Sequence, residues 1–192
     1  MNEAFGFAGL TSPSGSYKLT WGRRGGGVTV PPDPPSGTEF TTAEYAQIAA
    51  SGDGSSFTLQ STGGGQRPWV MIEIPLFTWG GVWEQNVFWD VVFRAYARTG
   101  SGMQGWSYDC RLYTWKPGTG WVQDDAHTGS TWANLESHHL LDDASQYVTA
   151  DRKLYVAVIN DDPSSGSPVP ATAFLYVDWV AFAIANVEAR LE

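Results

Sequence analysis

Two long apolar runs near the end of the chain, residues 154–160 and 173–184, most constrain its fold. Both are rich in β-branched and aromatic residues, which favour strands, and a loop of Ser, Pro and Gly separates them. The second run contains a single charged residue, Asp178. A carboxylate among so many apolar neighbours is costly to bury unless it is paired or hydrogen-bonded. The sequence therefore predicts two buried strands, and in Asp178 either a structural anchor or a ligand.

From Thr38 onward the chain is typical of short strands separated by turns. Apolar residues alternate with other residues over 70–76, 87–98 and 108–114, which predicts half-buried strands. No stretch has the convincing pattern of an amphipathic helix, and 192 residues suffice for one domain with a hydrophobic core. We therefore expect an all-β fold, a two-sheet jelly-roll β-sandwich with an extended N-terminal arm.

The stretches 87–98 and 108–114 each have one apolar and one mixed face. The apolar faces predict a core that contains Trp89, Val91, Phe93, Cys110 and Leu112. The mixed faces predict a ladder of opposite charges across neighbouring strands, made of Asp90, Arg94, Arg98, Asp109 and Arg111. Because Cys110 is the only cysteine, no internal disulfide forms, and we expect a buried thiol.

Residues 1–37 differ in composition from the rest. Glycine and proline runs at 25–27 and 31–35 interrupt any regular element, and the segment has a net charge of +1 against −10 for residues 38–192. A mildly basic arm can dock on an acidic neighbouring copy. The sequence thus predicts an assembly arm over 1–37, with Tyr17, Trp21, Arg23 and Arg24 as its contact residues, and a sandwich domain over 38–192.

The composition limits the class of partner. A net charge of −9 disfavours nucleic-acid binding through phosphates, and no apolar run has transmembrane length. The N-terminus lacks the features of a signal peptide, so we expect synthesis in a host cytoplasm and no membrane partner. Few charges together with ten Trp, eight Tyr and nine Phe predict a surface that binds a partner.

No arrangement of residues points to catalysis. The acid pairs Asp124–Asp125, Asp142–Asp143 and Asp161–Asp162 are sequential and are expected to be solvated loop charge. The three histidines, His127, His138 and His139, lack zinc-ligand spacing and are expected on the surface or in loops. No Gly-x-Ser-x-Gly motif occurs. We therefore expect a protein that is not an enzyme and has no cofactor.

Tryptophans in glycine- or serine-rich stretches are candidate binding residues, and they are Trp79, Trp83, Trp106 and Trp132. Exposed indoles can stack on sugar rings, with polar side chains beside them as hydrogen-bond partners. The same indoles can instead close the ends of a sandwich or pack against neighbouring subunits. Both interpretations stay open at the level of the sequence.

Several short motifs together resemble a galactose-binding-like jelly-roll module, a family recurrent in phage, bacterial and archaeal surface proteins. The resemblance covers residues 41–184, about three-quarters of the chain, and rests on Glu44 to Ile48 before Asp53-Gly54, Leu112 to Trp115, Trp121 to Gln123, Gln146 to Val148 with Asp151, and Leu175 to Val180. It implies a jelly roll that serves carbohydrate binding, adhesion or structural roles.

The resemblance also implies a possible structural calcium. In such modules an acid on the last strand often helps to bind the ion near the first turn, which here would bring together Asp178 and Asp53. The alternative is that Asp178 accepts hydrogen bonds from the backbone or pairs with a Tyr or Arg.

Taken together, these features predict a non-enzymatic virion structural protein. Its expected form is a phage capsid decoration protein or a tail-associated protein, with other virion proteins and copies of itself as partners. The alternative is a carbohydrate-binding or host-adhesion module that binds a surface glycan through exposed tryptophans.

Overall fold

The computed structural model describes residues 17–25, 30–49, 51–62, 66–76, 87–99, 109–139, 141–161 and 173–186. Trp79, Trp83 and Trp106 lie outside these residues. The described elements are the strands β1 (Lys18–Arg24), β2 (Thr38–Glu39), β3 (Phe57–Gln60), β4 (Arg67–Pro75), β5 (Val87–Thr99), β6 (Asp109–Lys116), β7 (Gly120–Thr128), β8 (Ala133–His139), β9 (Lys153–Asn160) and β10 (Ala173–Asn186), and the helices α1 (Thr42–Ala46) and α2 (Leu141–Ser145). Neither of these two helices has the length or apolar character needed to cross a membrane.

The strands form two antiparallel sheets that face each other. One sheet has the order β2-β1-β4-β9-β6-β7, and the other has the order β3-β10-β5-β8. Consecutive strands often belong to different sheets, as β5 and β6 do. The predicted all-β, two-sheet sandwich is therefore confirmed.

The core lies between the sheets and contains the residues that the alternation predicts. Trp89, Val91, Phe93, Cys110 and Leu112 are fully buried. They pack with apolar residues of β4, β9 and β10 in one continuous cluster. Because side chains on a strand alternate between faces, the intervening residues of β5 point away from this core.

The predicted charge ladder is not formed, because β5 and β6 lie in different sheets. Arg94 of β5 instead pairs with Asp178 of β10. Arg111 of β6 pairs with Asp109 on its own strand and with Asp161. The alternation of side chains along each strand is as predicted, but the predicted pairing of the two strands is not.

The described part of the predicted arm also differs from the expectation. Strand β1 pairs along its whole length with β4, and Leu19 is fully buried in the core. Its backbone N–H donates a 2.7 Å hydrogen bond to the Tyr45 hydroxyl. Leu19 lies opposite Ile72 and Trp21 opposite Val70, and all four side chains belong to or pack against the core, so the strand belongs to the sandwich of its own chain.

The four expected contact residues of the arm also lie within the domain. Tyr17 packs on the rings of Tyr45 and Phe182. Trp21 is half-buried against the core, and Arg24 lies opposite Arg67 of β4. Arg23 stacks over the Trp21 ring, and its Nε donates a 2.6 Å hydrogen bond to the carbonyl of Gln60. A role of these four residues in assembly stays a prediction.

Residues 30–37 then cross the outer face of the six-stranded sheet. Val30 packs against a second buried cluster made of Trp69, Met71, Tyr113, Ala157 and Ile159. The Trp121 indole donates a 2.9 Å hydrogen bond to the carbonyl of Pro32. The ring of Trp69 fills the space where Gly22 and Gly37 lack a Cβ, so both glycines are required for this covering layer. The boundary expected after residue 37 is therefore not a structural boundary within the described residues.

Candidate functional site

Four aromatic side chains lie together on the outer face of the four-stranded sheet. We call this set, Phe174 and Tyr176 of β10, Tyr96 of β5 and Trp132 directly before β8, the aromatic platform. Each ring is partly solvent-exposed, and Trp132 is exposed to 38%. Outside the core, such a row of exposed rings is typical of a ligand-binding or protein-binding surface.

The rings contact each other in a continuous row. Tyr96 and Tyr176 are stacked, with centroids 4.4 Å apart and planes 4° from parallel. Trp132 lies edge-on to Tyr96 at 4.6 Å and 88°, and Phe174 lies 6.0 Å from Tyr176 at 24°. Because each ring restricts its neighbours, the platform is largely preformed, which lowers the entropic cost of binding a ligand.

The register of three strands explains this row. Tyr96 lies directly opposite Tyr176, and their neighbours Ala95 and Val177 point into the core. Ala95 is also opposite Ala133, the first residue of β8, so the preceding Trp132 lies beside Tyr96. A shift of one residue would turn all of these rings inward, and the buried neighbours prevent it.

Polar side chains border the platform. On β3, Thr58 lies opposite Tyr176 and Gln60 lies opposite Phe174. On β5, Arg98 lies opposite Phe174 on its other side, and both Arg98 and Gln60 are exposed. Rings with hydroxyl, amide and guanidinium groups beside them combine apolar area with the few polar groups that fix the orientation of a ligand.

Asp178 anchors the edge of the platform. It occupies a β-bulge of β10, between Val177 opposite Ala95 and Trp179 opposite Arg94. Its carboxylate lies 3.2 Å from Arg94 Nε and accepts a 3.2 Å hydrogen bond from the Gly52 backbone N–H. The acid is therefore paired and hydrogen-bonded, which is one of the two interpretations that the sequence left open.

Arg94 extends this anchor to Trp132. Its Nη1 donates a 2.7 Å hydrogen bond to Ser51 Oγ, and its guanidinium lies 6.0 Å from the centre of the Trp132 ring. The ion pair with Asp178 and this cation–π contact together orient the most exposed ring of the platform.

Asp178 and Asp53 have different partners. Asp53 Oδ1 accepts a 2.7 Å hydrogen bond from the Ser55 N–H, whereas Asp178 already has the Arg94 guanidinium beside it. The described residues also contain no group of three or more His, Cys, Asp or Glu side chains that could hold a metal ion. A neighbouring guanidinium does not fit a calcium ligand set, and calcium binding stays a prediction.

The hydroxyl of Tyr96 is held in its neutral form. Burial raises its pKa above the ordinary value, the nearby Tyr176 raises it further, and Arg98 acts in the opposite direction. A neutral phenol can both donate and accept hydrogen bonds.

A polar cluster connects β7 and β8, which are edge strands of the two sheets. Asp124 of β7 accepts hydrogen bonds from Ser137 of β8 and from Thr114, and its Oδ1 lies 3.3 Å from His139 Nε2. The other ring nitrogen of His139, Nδ1, lies 2.6 Å from Asp143 Oδ2. Burial lowers the pKa of His139, but the hydrogen bonds to the two carboxylates outweigh it, so the pKa is raised.

This cluster corrects two expectations. Asp124 was expected as solvated loop charge and His139 as a surface or loop residue, yet the His139 ring packs between Trp89 and Tyr147 at 4.5 and 4.2 Å. Because Ser137 donates to Asp124, the arrangement is not that of a nucleophilic serine with a histidine base. Because Asp124 lies on β7 and Ser137 and His139 lie on β8, the hydrogen bonds of this cluster link the two sheets.

Asp161 likewise differs from the expected solvated charge. It is 1% exposed and pairs with Arg67 and, at 2.9 Å, with Arg111 Nη1. Two guanidinium groups compensate the cost of burying this carboxylate.

Of the tryptophans singled out by sequence, Trp132 belongs to the platform and the other three lie outside the described residues. Sequence reasoning missed Tyr96, Tyr176 and Phe174 as candidate binding residues. The available signal was their alternation with core residues, which placed each of them on an outer face.

No family model matches the chain. No curated protein matches it either. Among solved structures, it is similar to the module TmCBM61 in complex with beta-1,4-galactotriose, at 12% identity and TM-score 0.40 over 93% of this chain and 92% of that one. It is also similar to the C-terminal family 22 carbohydrate-binding module of Clostridium thermocellum Xyn10B, at 12% identity and TM-score 0.31 over 98% and 97%.

A third similar structure is the CBM22-1 xylan-binding domain of Paenibacillus barcinonensis Xyn10C. The identity is 12% and the TM-score 0.37, over 98% of this chain and 97% of that one. None of these three structures is a virion protein. At TM-scores below 0.5, the likeness carries no information on what this chain binds.

Proposed function

We propose that this protein is a non-catalytic carbohydrate-binding module and that the aromatic platform is its ligand surface. The observation that carries the proposal is the continuous row of partly exposed rings, Phe174, Tyr176, Tyr96 and Trp132, with polar groups on its border. Sugar rings present apolar C–H faces and polar hydroxyl edges, so they match rings that have hydrogen-bonding groups beside them.

The location of the platform supports this function over a purely structural role for these rings. The core between the sheets is filled by other residues, among them Trp89 and Phe93, so the platform is not needed to complete it. The solved structures named above are carbohydrate-binding modules, one of them in complex with a galactotriose. The platform, and not this likeness, carries the proposal.

Binding to a panel of soluble polysaccharides tests the function directly. We expect the wild-type protein to be retarded by at least one polysaccharide in affinity gel electrophoresis. The variants Trp132→Ala and Tyr176→Ala should each weaken binding by about tenfold or more, because each removes an apolar contact surface whose burial is worth about 1.5–3 kcal/mol. Thermal melting of each variant establishes that it is folded.

The matched control is Trp115→Ala. Trp115 is a half-buried indole of the other sheet that contacts Trp121 at 5.6 Å, and its loss should leave sugar binding unchanged. Failure of the wild-type protein to bind any polysaccharide of the panel would contradict the proposal. Self-assembly into large particles without sugar binding would instead favour the virion structural role, which stays a prediction.

A further inference from the structure

The charges around the aromatic platform are unevenly distributed. Arg94 is compensated by Asp178, whereas the described residues offer no carboxylate that pairs with the exposed Arg98. Among the described residues, Arg98 is therefore a cation without a carboxylate partner at the border of the platform, in a chain whose net charge is −9.

Apart from Asp178, which pairs with Arg94, the described acids of the same sheet face lie far from Arg98. Asp90 is eight residues away along β5, and Glu136 lies opposite Val92, six residues away. At about 3.4 Å per residue, these separations are roughly 27 Å and 20 Å. In the sequence, residues 100–108 between β5 and β6 and residues 162–172 between β9 and β10 contain one charged residue, Asp162. Among the described residues, the platform end of this face is thus aromatic and cationic, and the opposite end is acidic.

The position of Arg98 is suited to a ligand that lies on the rings. It is next to Tyr96 on the same face of β5 and directly opposite Phe174 of β10. Gln60 lies on the other side of Phe174, so one row of the sheet presents an amide, a ring and a guanidinium in that order. A guanidinium binds a planar carboxylate through two parallel hydrogen bonds, which makes it selective for that group.

We propose that the ligand of the platform is a polysaccharide whose sugars carry carboxylates, a polyuronate, and that Arg98 pairs with one of these carboxylates. This inference rests on the proposed carbohydrate-binding function and specifies the chemical class of its ligand. The rings stack on the sugar, and Arg98 distinguishes an acidic sugar from its neutral counterpart.

The test compares polygalacturonate with the same polymer fully methyl-esterified, which removes the charge and keeps the sugar. Affinities are measured by titration calorimetry at about 0.15 M salt, where a Debye length of about 8 Å screens the distant acids of the protein. We expect the wild-type protein to bind the acidic polymer about tenfold or more tightly than the ester, because hydrogen bonds to charged groups are the stronger kind.

Four variants separate the contributions. Arg98→Gln should remove the preference for the acidic polymer, and Arg98→Lys should restore part of it, because a lysine keeps the charge without the paired geometry. Lys18→Gln removes one positive charge on the other sheet and should leave the preference intact. Tyr176→Ala should weaken binding of both polymers.

Each other outcome has a defined meaning. Equal affinity for acid and ester, together with an unaffected Arg98→Gln variant, would overturn the polyuronate assignment while sugar binding through the rings remained. Equal binding of dextran sulfate and polygalacturonate would contradict a carboxylate-specific site. Absence of binding to every neutral and acidic polymer would overturn the carbohydrate-binding function itself.

Discussion

At the scale of single residues, Asp178 shows how one buried charge organises its surroundings. Its carboxylate connects the bulge of β10, the guanidinium of Arg94 and the backbone at Gly52. The same arginine orients Trp132, the most exposed ring of the platform. A structural anchor and the proposed ligand surface therefore share one ion pair.

Replacing this anchor should destabilise the fold. We expect Asp178→Ala to lower the free energy of unfolding by about 1–3 kcal/mol, or more, because Arg94 and the Gly52 N–H lose their partner. Urea denaturation measures the change. The control is Asp53→Ala, because Asp53 is exposed and lies next to Gly52 in the turn that contacts Asp178. An unchanged free energy of unfolding for Asp178→Ala would count against any anchoring role.

His139 gives the molecule a defined dependence on pH. Its pKa is raised in the folded state by Asp124 and Asp143 despite burial, so folding favours the protonated ring. This contribution to stability is complete below the unfolded pKa of about 6.5 and is lost as the pH rises through the higher folded value. We expect the stability of the wild-type protein to fall as the pH rises above about 6.5.

Denaturation curves at a series of pH values test this prediction. The His139→Gln variant should lack the decline, whereas His138→Gln, at the adjacent exposed position of β8, should retain it. Stability that is constant or rises across this range in the wild-type protein would contradict the assigned role of His139.

At the scale of the strands, the alternation of side chains assigns each residue to a face. Cys110 lies on β6 opposite Asn160 and His127 and is fully buried. Burial also raises the pKa of its thiol well above the ordinary range, and the nearby carboxylates of Asp109 and Asp125 add to the shift.

We therefore expect Cys110 to be unreactive in the native protein. Labelling with a chromogenic disulfide reagent should proceed only after denaturant is added, since a buried thiol is both inaccessible and protonated. Rapid labelling under native conditions would place Cys110 on the outer face of β6. It would then invert the assigned faces of that strand.

Neighbouring strands cannot be deduced from alternation in the same way. The mixed faces of β5 and β6 suggested one charge ladder, but the two strands follow each other in sequence and lie in different sheets. Arg94 instead pairs with Asp178 on β10, and Arg111 pairs with Asp161 as well as with Asp109 on its own strand. Pairing across a sandwich depends on contacts between residues far apart in the chain.

At the scale of the whole molecule, residues 17–25 and 30–37 belong to the sandwich. Strand β1 pairs with β4 in the six-stranded sheet. Residues 30–37 pack over the buried cluster around Trp69 on the outer face of that sheet. Gly22 and Gly37 allow this close packing against the Trp69 ring of the same chain.

Truncation tests this integration. We expect deletion of residues 1–37 to prevent stable folding, because it exposes the edge of β4 and removes the fully buried Leu19, whose truncation to Ala alone should cost about 2–5 kcal/mol. Deletion of residues 1–16, the control, removes none of the described contacts. Soluble expression and thermal melting distinguish the two; a folded, soluble protein lacking 1–37 would show that the segment is dispensable.

The sequence by itself determined the all-β class and the core faces of β5 and β6, because alternation is a local property of a strand. It also identified Asp178 and Trp132 as unusual residues. Only the tertiary structure decided which strands are neighbours, that β1 lies within the sheet, and that Tyr96, Tyr176 and Trp132 form one row. These features depend on the register between segments that are distant in the sequence. The packing of both sheets sets that register, and no local sequence pattern encodes it.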